Sequence, residues 1–316
     1  MSSSPGPVPG SSPAQAPGAF KASAPQLALA IGILAVSSGS IFVRFAQADA
    51  PSLVIAAYRL GLATLILFPF AWTRHRRELL ELPAAEWGWL AASGLSLAVH
   101  FATWITSLQY TSVASSVALV STSPLWVALF AWIAWRERMT PSLVLGLTLA
   151  LCGSIVISFA EARTAISSRP FLGNALALTG ALAVSGYWLI GRRMRRRLSL
   201  IPYVTVVYGG AALALLAASL ILGQPLAGFR PATYGWFILL ALLPQLLGHS
   251  SFNWALGHLQ AAYVAVATLG EPIGAALLAF IVLGEIPSAL KIAAAALILG
   301  GIYLALDRRP AGKTGR

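Results

Sequence analysis

The chain has 316 residues, of which 58% are hydrophobic and only 9% are charged, whereas a soluble domain carries about 25% charged residues. This composition excludes an ordinary soluble fold. The formal net charge of +12 would suit a nucleic-acid partner, but the arginines cluster in short gaps between apolar runs, as in membrane loops, and we expect no nucleic-acid partner.

The first 25 residues contain six Pro, six Ser and three Gly, with Lys21 as the single charged residue. Such a segment has too little apolar content to pack, and it lacks the charged and apolar regions of a signal peptide. We predict a disordered cytoplasmic tail at residues 1–25 and a short basic cytoplasmic tail at residues 307–316.

Apolar runs long enough to span a membrane follow, since a bilayer core about 30 Å thick needs roughly 20 apolar residues per helix. The sequence is therefore predicted to be an all-α integral membrane protein with ten transmembrane helices. The count depends most on the short gaps near Tyr110 and at residues 257–260. The ten predicted spans are 26–43, 52–72, 87–107, 112–135, 141–159, 172–190, 202–222, 234–256, 261–283 and 288–306.

Basic residues are distributed unevenly between the two sides of these spans. Fifteen of the 21 Lys and Arg residues fall on the side of the amino terminus and four on the other, with Arg59 and Lys291 inside spans. Because cytoplasmic loops carry the excess of Lys and Arg, both termini are predicted to be cytoplasmic.

The two halves of the chain, residues 26–160 and 161–306, show a weak internal repeat. Each half contains five predicted helices, an odd number, so the second half must enter the membrane from the opposite face. Inverted repeats of this kind place a solute site near the midplane, between halves that rock to give alternating access. An offset of 148 residues superposes Pro124 on Pro272, Glu137 on Glu285 and Gly153 on Gly301.

Several short motifs resemble those of the EamA-type transporters of the drug/metabolite transporter superfamily. The resemblance covers residues 26–306 and implies a central cavity lined mainly by helices 1, 3, 4, 6, 8 and 9. Within the family, the chain is most similar to the YddG-type exporters of aromatic amino acids, although Ser123 stands where many members carry a different small or acidic residue. The motifs are Tyr58-Arg59, Ser123-Pro124, Arg136-Glu137-Arg138, Glu271-Pro272, Leu283-Gly284-Glu285 and Gly300-Gly301.

Polar side chains form one stripe in span three and another in span eight, at helical spacing. Each stripe is centred on a histidine, His100 or His249. Imidazole groups there suit solute binding or proton exchange, or they serve as hydrogen-bonding links between helices. A two-histidine metal site lacks an acidic partner on either stripe, and no metal or other cofactor is expected. The stripes are Ser96, His100, Thr103, Trp104 and Ser107, and Gln245, His249 and Asn253.

Two charged residues inside spans complete the candidate site. Glu271 adjoins Pro272, and its position fits two alternative roles: an acid that couples proton movement to transport, or a structural acid that satisfies backbone groups at a helix kink. Three roles are open for Arg59: an ion pair with Glu271, an ion pair with a substrate carboxylate, or a long side chain that extends to the membrane interface. The candidate substrate-binding residues are His100, Trp104, Ser121, Ser185, Trp188, His249 and Asn253.

Together these features predict a secondary transporter or facilitator and not an enzyme. The spans contain few cations, and a phosphate group needs several to replace its water, so phosphorylated cargo is disfavoured. We expect small neutral or zwitterionic solutes, among them amino acids, including aromatic ones. Another metabolite or drug-like cargo moved by proton antiport, or a multi-span membrane enzyme, is the alternative. We expect the protein to be surrounded by membrane lipid and to lie in a bacterial inner membrane. We expect no obligate protein partner. The single cysteine, Cys152, is predicted to be buried.

Overall fold

The computed structural model describes residues 24–135, 141–162, 169–259, 264, 267, 268 and 270–306. Across these residues every regular element is a helix. The predicted tails, apart from the last two residues of the first, and the Arg136-Glu137-Arg138 motif lie outside the described residues. In the first half the helices are α1 (Ala24–Ser37), α2 (Gly39–Ala46), α3 (Ser52–Leu80), α4 (Ala84–Ser107), α5 (Val113–Val120), α6 (Ser123–Trp135) and α7 (Pro141–Ala162).

The second half of the chain is also helical, with two segments of the wider π-helix inserted. Its elements are α8 (Pro170–Met194), α9 (Leu200–Ile221), α10 (Pro231–Leu240), the π-helix π1 (Ala241–His249), α11 (Ser250–Leu256), α12 (Gly270–Leu278), the π-helix π2 (Ala279–Leu283) and α13 (Ala289–Leu306).

Seven helical stretches among the described residues are long and apolar enough to cross a membrane, and two shorter apolar helices follow at Gly270–Leu283 and Ala289–Gly301. Large apolar side chains such as Leu34, Leu213 and Ile221 point outward, where a lipid environment covers them. The protein is therefore a multi-pass integral membrane protein. Each predicted span is helical over most of the residues that the structure describes, with interruptions such as those at Ser121, Thr122 and Thr268, while the count of ten crossings stays a prediction.

Cys152 shows how a membrane changes the meaning of an apolar position. The prediction that it is buried was wrong: the side chain is exposed on α7. An apolar residue in a soluble protein turns inward, but in a lipid bilayer the outer surface of a helix is itself surrounded by hydrocarbon.

Three of the helical stretches are interrupted at or near a proline. Ser121 and Thr122 form a turn between α5 and α6, just before Pro124, and Thr268 lies in a turn just before α12, which contains Pro272. In the third stretch, Pro244 lies inside π1. Proline lacks a backbone N–H and clashes with the preceding turn, so a break or a widened turn relieves the clash.

The broken backbone after α5 is stabilised by its own side chains. The Ser121 hydroxyl donates to the Val117 carbonyl oxygen at 2.8 Å, and the Thr122 hydroxyl donates to that of Leu119 at 2.7 Å. The same two carbonyl oxygens also accept the backbone N–H groups of Ser121 and Thr122, so each hydroxyl adds a second hydrogen bond. The hydroxyl groups thereby find acceptors within the broken backbone, where lipid offers none.

Close helix packing depends on small residues, as is usual in membranes. Gly94 on α4 faces the backbone of α9, where an added Cβ atom would lie 3.3 Å from the Val207 carbonyl oxygen. Gly153 on α7 faces α13, and a Cβ atom there would lie 2.7 Å from Ile298 and 2.8 Å from the Ala294 carbonyl oxygen. These glycines allow the helix axes to approach more closely than any side chain would permit.

The substitution Gly153→Ala is expected to destabilise the protein by about 1–3 kcal/mol, because the added methyl group overpacks the contact between α7 and α13. Gly300→Ala on α13 is the matched control, since a Cβ atom there meets nothing within 4 Å. Thermal unfolding of the two purified variants in detergent measures the difference. Equal melting temperatures would show that the α7–α13 contact is not close in solution.

Candidate functional site

A small, partly open cavity lies in the middle of the bundle, where helices of both halves meet. Its free volume is about 40 Å³, enough for very few water molecules. The lining comes from the six predicted spans that the family resemblance implied and also from span two, through Arg59. The lining residues are Val36, Arg59, His100, Trp104, Val120, Ser121, Ser123, Val184, Trp188, His249, Phe252, Thr268 and Glu271.

The cavity lies at the two helix interruptions that precede prolines. Ser121 and Ser123 flank the break between α5 and α6, and Thr268 and Glu271 flank the break before α12. Non-helical backbone at membrane depth is tolerated where it is buried in protein or lines a cavity. The site is therefore formed where the sequence repeat superposes Pro124 on Pro272.

Seven of the nine predicted site residues line this cavity. His100, Trp104, Ser121, Trp188 and His249 do so, together with the two charged residues Arg59 and Glu271. Whether they bind a solute stays a prediction.

Ser185 and Asn253 do not line the cavity. The Ser185 hydroxyl shares its donated bond between the carbonyl oxygens of Ala181 at 2.6 Å and Ser123 at 3.0 Å, and thereby fixes α8 against the break in the first half. The Asn253 side-chain amide lies 2.6 Å from the Tyr187 hydroxyl. Asn253 lies in α11, one turn after His249, and its amide bonds to Tyr187 of α8 and does not reach the cavity lining.

Sequence reasoning missed several lining residues. Val36, Val120, Val184 and Phe252 are apolar, and nothing in the sequence separates an apolar side chain at a cavity from one in the helix packing. Thr268 could have been found from its place in the repeat, since it lies four residues before Pro272 as Val120 lies four before Pro124.

His100 both links two helices and lines the cavity. Its Nδ1 atom lies 2.9 Å from the Gly180 carbonyl oxygen, so it donates a hydrogen bond that links α4 to α8. The ring still lines the cavity, parallel to the Trp104 ring at a centroid distance of 6.1 Å, and its centroid lies 6.5 Å from that of His249. With Nδ1 as donor, Nε2 of the neutral ring is an acceptor.

Arg59 is almost completely buried, with 1% of its surface exposed. Its Nε atom donates to Gln245 Oε1 at 2.8 Å, and its guanidinium carbon lies 4.2 Å from the centroid of the Phe101 ring, a cation–π contact. Within the described part of the chain, the buried Nη1 atom has no hydrogen-bond partner. The partner of this cation is thus an amide and an aromatic face, and not the carboxylate of Glu271.

Glu271 and Trp188 also bring unpaired polar groups to the cavity. Glu271, in the first turn of α12, makes no ion pair within 4 Å and no side-chain hydrogen bond to any residue that the structure describes. The Trp188 Nε1 atom is buried and has no acceptor among the described residues. The cavity therefore combines a cation, a carboxylate and an indole N–H that do not satisfy one another.

Polar contacts hold the helices together on one side of the cavity. Glu86, at the start of α4, pairs with Arg193 at 3.6 Å and with Arg197. Nearby, Glu78 on α3 accepts hydrogen bonds from the backbone N–H and the hydroxyl of Ser199, each at 2.9 Å. These contacts join α3 and α4 of the first half to the α8–α9 connection of the second.

A second set of contacts holds the helices on the other side. Arg44 of α2 pairs with Glu285 at 3.2 Å, and Glu285 also accepts a hydrogen bond from the Val113 backbone N–H at 3.0 Å. Glu285, in the loop after π2, therefore links α2 to the start of α5. Hydrogen bonds from the Thr233 hydroxyl and the Arg230 backbone N–H lower the pKa of Asp49, because both stabilise the ionised carboxylate.

The substitution Gln245→Met is expected to lower stability by about 1–3 kcal/mol, because it leaves the Arg59 guanidinium without its hydrogen-bonded amide. The double variant Arg59→Met with Gln245→Met should recover much of this loss, since apolar groups then replace both partners. The melting temperatures of the wild type, both single variants and the double variant, measured in detergent, form a double-mutant cycle. Strictly additive losses would show that the two side chains do not interact.

The comparisons with known proteins agree with this fold. A family model described as "EamA-like transporter family" matches residues 24–159 and again residues 171–306. An "Uncharacterized transporter" of Archaeoglobus fulgidus is 25% identical over 284 residues, 88% of this chain and 96% of the relative. A "Probable terminal-alkyne amino-acid exporter" of Streptantibioticus cattleyicolor is 26% identical over 201 residues, 62% of this chain and 64% of the relative.

A solved crystal structure is similar in fold, with a TM-score of 0.65 and 20% sequence identity over 90% of this chain and 98% of that chain. At this identity the likeness shows the fold alone. The family model, in contrast, covers most of the sequence and matches each half of it separately. The chain is a member of the EamA-like transporter family.

Proposed function

We propose that this protein is a secondary transporter or facilitator of small neutral or zwitterionic metabolites, with amino acids, including aromatic ones, as its cargo. The observation that carries the proposal is the cavity at the centre of the bundle, lined by polar, charged and aromatic side chains from both halves of the chain. A purely structural membrane protein has no need of unpaired polar groups at its centre, where they are costly.

The mechanism we propose is alternating access between two inverted five-helix repeats in a ten-helix bundle, residues 26–160 and 161–306. The double match of the family model supports two related halves. The breaks before Pro124 and Pro272 support a site at the junction between them. The free volume of about 40 Å³ is smaller than an amino acid, so cargo binds after the halves move apart.

The cargo class follows from the chemistry of the lining. Arg59 is the only cation among the lining residues, which is too little to replace the water around a phosphate group. The rings of Trp104, Trp188 and Phe252 offer apolar surface for a side chain. The name of the Streptantibioticus cattleyicolor relative, an amino-acid exporter, and the resemblance to YddG-type exporters support amino acids over other metabolites.

Proton antiport of another metabolite is the second candidate function, because Glu271, His100 and His249 all line the cavity. Each of these groups is able to exchange a proton with a cargo or with water. In that mechanism a pH gradient would drive transport, whereas a facilitator needs no such gradient.

We also infer that the protein lies in a bacterial inner membrane with both termini in the cytoplasm, as the excess of Lys and Arg on one side indicates. A green fluorescent protein fused to the carboxyl terminus is expected to fluoresce in intact bacteria, because this protein does not mature after export through the Sec pathway. Alkaline phosphatase fused at the same position should be inactive. The reverse pattern would overturn the orientation.

Purified protein reconstituted into liposomes is expected to take up labelled phenylalanine, tryptophan or leucine above the level of empty liposomes. Uptake should be measured with and without a pH gradient. Absence of transport for every amino acid tested would overturn the amino-acid proposal, and uptake that a gradient leaves unchanged would exclude proton coupling.

Variants of the lining residues should be compared in the same assay. His100→Ala and His249→Ala are expected to lower uptake at least about tenfold, since each removes a polar group from the cavity. His258→Ala and Trp89→Ala are the controls, because both side chains are exposed away from it. Equal effects of all four substitutions would assign the histidines to helix packing.

A further inference from the structure

We propose that the central cavity is a zwitterion site, in which Arg59 and Trp188 bind the carboxylate of the cargo and Glu271 binds its ammonium group. The inference rests on the proposed transport function and narrows it to solutes that carry both charges. The proposal gives Arg59 and Glu271 each an oppositely charged partner on the cargo. Among the described residues, neither group forms an ion pair within 4 Å.

Arg59 has one nitrogen hydrogen-bonded and two aromatic rings close to its guanidinium group. Gln245 accepts from Nε at 2.8 Å, and the guanidinium carbon lies 4.2 Å from the Phe101 ring centroid and 5.8 Å from that of Trp104. Gln245 is neutral, and Glu271 attracts the guanidinium electrostatically but makes no ion pair with it within 4 Å. Burial of such a cation in a membrane bundle is expensive, and an incoming carboxylate would supply both the missing charge and an acceptor for the unpaired Nη1 atom.

Trp188 adds a second donor for the same carboxylate. Its indole Nε1–H is buried without an acceptor among the described residues, on a side chain that is 6% exposed and lines the cavity with Arg59. Buried donors are nearly always paired, and an indole can only donate. Two buried, unpaired donors on side chains that line one cavity indicate an anionic acceptor that arrives with the cargo.

Glu271 provides the opposite charge. It stands at the break before α12, on the other half of the chain from Arg59, and makes no ion pair within 4 Å to a residue that the structure describes. Because the contacts of Arg59 with Gln245 and Phe101 hold the guanidinium in place, the two charges attract each other without forming a direct ion pair. A zwitterion between them would pair both charges at once.

Other ligand classes fit the lining less well. A neutral solute would leave the cation and the carboxylate unpaired, and a phosphate would meet one cation and a repelling carboxylate. An amine or a carboxylic acid alone would pair one charge and leave the other buried. An α-amino acid with an apolar side chain satisfies both charges and also fills the space beside Trp104 and Phe252.

The test measures binding of matched analogues to the wild-type protein in nanodiscs by calorimetry, alongside uptake of the labelled amino acids into liposomes. The zwitterions are expected to bind roughly 10- to 100-fold more tightly than each analogue that lacks one charge or both. The probes are L-phenylalanine, phenethylamine, 3-phenylpropionate and 3-phenylpropionamide, and L-leucine, isopentylamine, 4-methylpentanoate and 4-methylpentanamide.

Variants then assign each charge. With Glu271→Gln, the preference for the amino acid over the analogue that carries only the carboxylate should fall about tenfold. With Arg59→Gln, and less strongly with Trp188→Phe, the preference for the amino acid over the analogue that carries only the amine should fall. Matched substitutions at exposed positions serve as controls that should retain both preferences. These controls are Glu81→Gln, Arg76→Gln and Trp87→Phe.

The possible outcomes separate the two proposals. If amino acids are transported but the uncharged amide analogues bind as tightly, the zwitterion inference is overturned and the transport function stands. If no amino acid is bound or transported, both fail. Because the wild-type comparison needs no substitution, a variant that does not fold leaves the test intact, and Trp188→Phe keeps the aromatic packing.

Discussion

The structure is organised around the cost of a permanent cation inside a membrane bundle. Arg59 is 1% exposed, and a guanidinium keeps its charge at any physiological pH. Gln245 and Phe101 stabilise it from two directions, which places α3 against π1 and α4. The helices that meet at the cavity are therefore positioned by the groups that stabilise this charge, and the stabilisation is incomplete because Nη1 has no partner within the described residues.

Helix interruptions create the second feature of the site. Proline residues prevent regular hydrogen bonding in three of the stretches that reach the centre, and the hydroxyl groups of Ser121 and Thr122 donate to carbonyl oxygens beside the first break. A break leaves backbone and side chains free to face a cavity, whereas a continuous helix directs all its backbone groups to itself. Arg59 supplies charge, and the breaks supply the space and the polar surface around it.

The sequence predicted the helical architecture well, because lipid demands long apolar runs and the charged gaps between them are distinct. It also identified His100, Trp104 and Arg59 at the cavity, since these positions follow a regular α-helical spacing or carry a charge in an apolar span. Asn253 could not be placed correctly, because its contact with the Tyr187 hydroxyl depends on how α11 packs against α8. The partner of Arg59 was missed for a similar reason: choosing between Gln245 and Glu271 requires the distance between helices, which no pattern in one chain contains.

The contacts on the two sides of the cavity differ in strength from those at its centre. Arg44 and Glu285 are 25% and 13% exposed, and Arg193 and Arg197 are about half exposed where they pair with Glu86. Water reaches the arginine side of these pairs and screens the charges, whereas the Glu86 carboxylate is 4% exposed and would need a new partner if its pairs broke. Under the proposed mechanism, opening one side separates the ion pairs and the Glu78 or Asp49 hydrogen bonds of that side, while Arg59 and Gln245 stay together. The contacts at either end can exchange a protein partner for water when that end opens, so the bundle is able to open either end without unfolding.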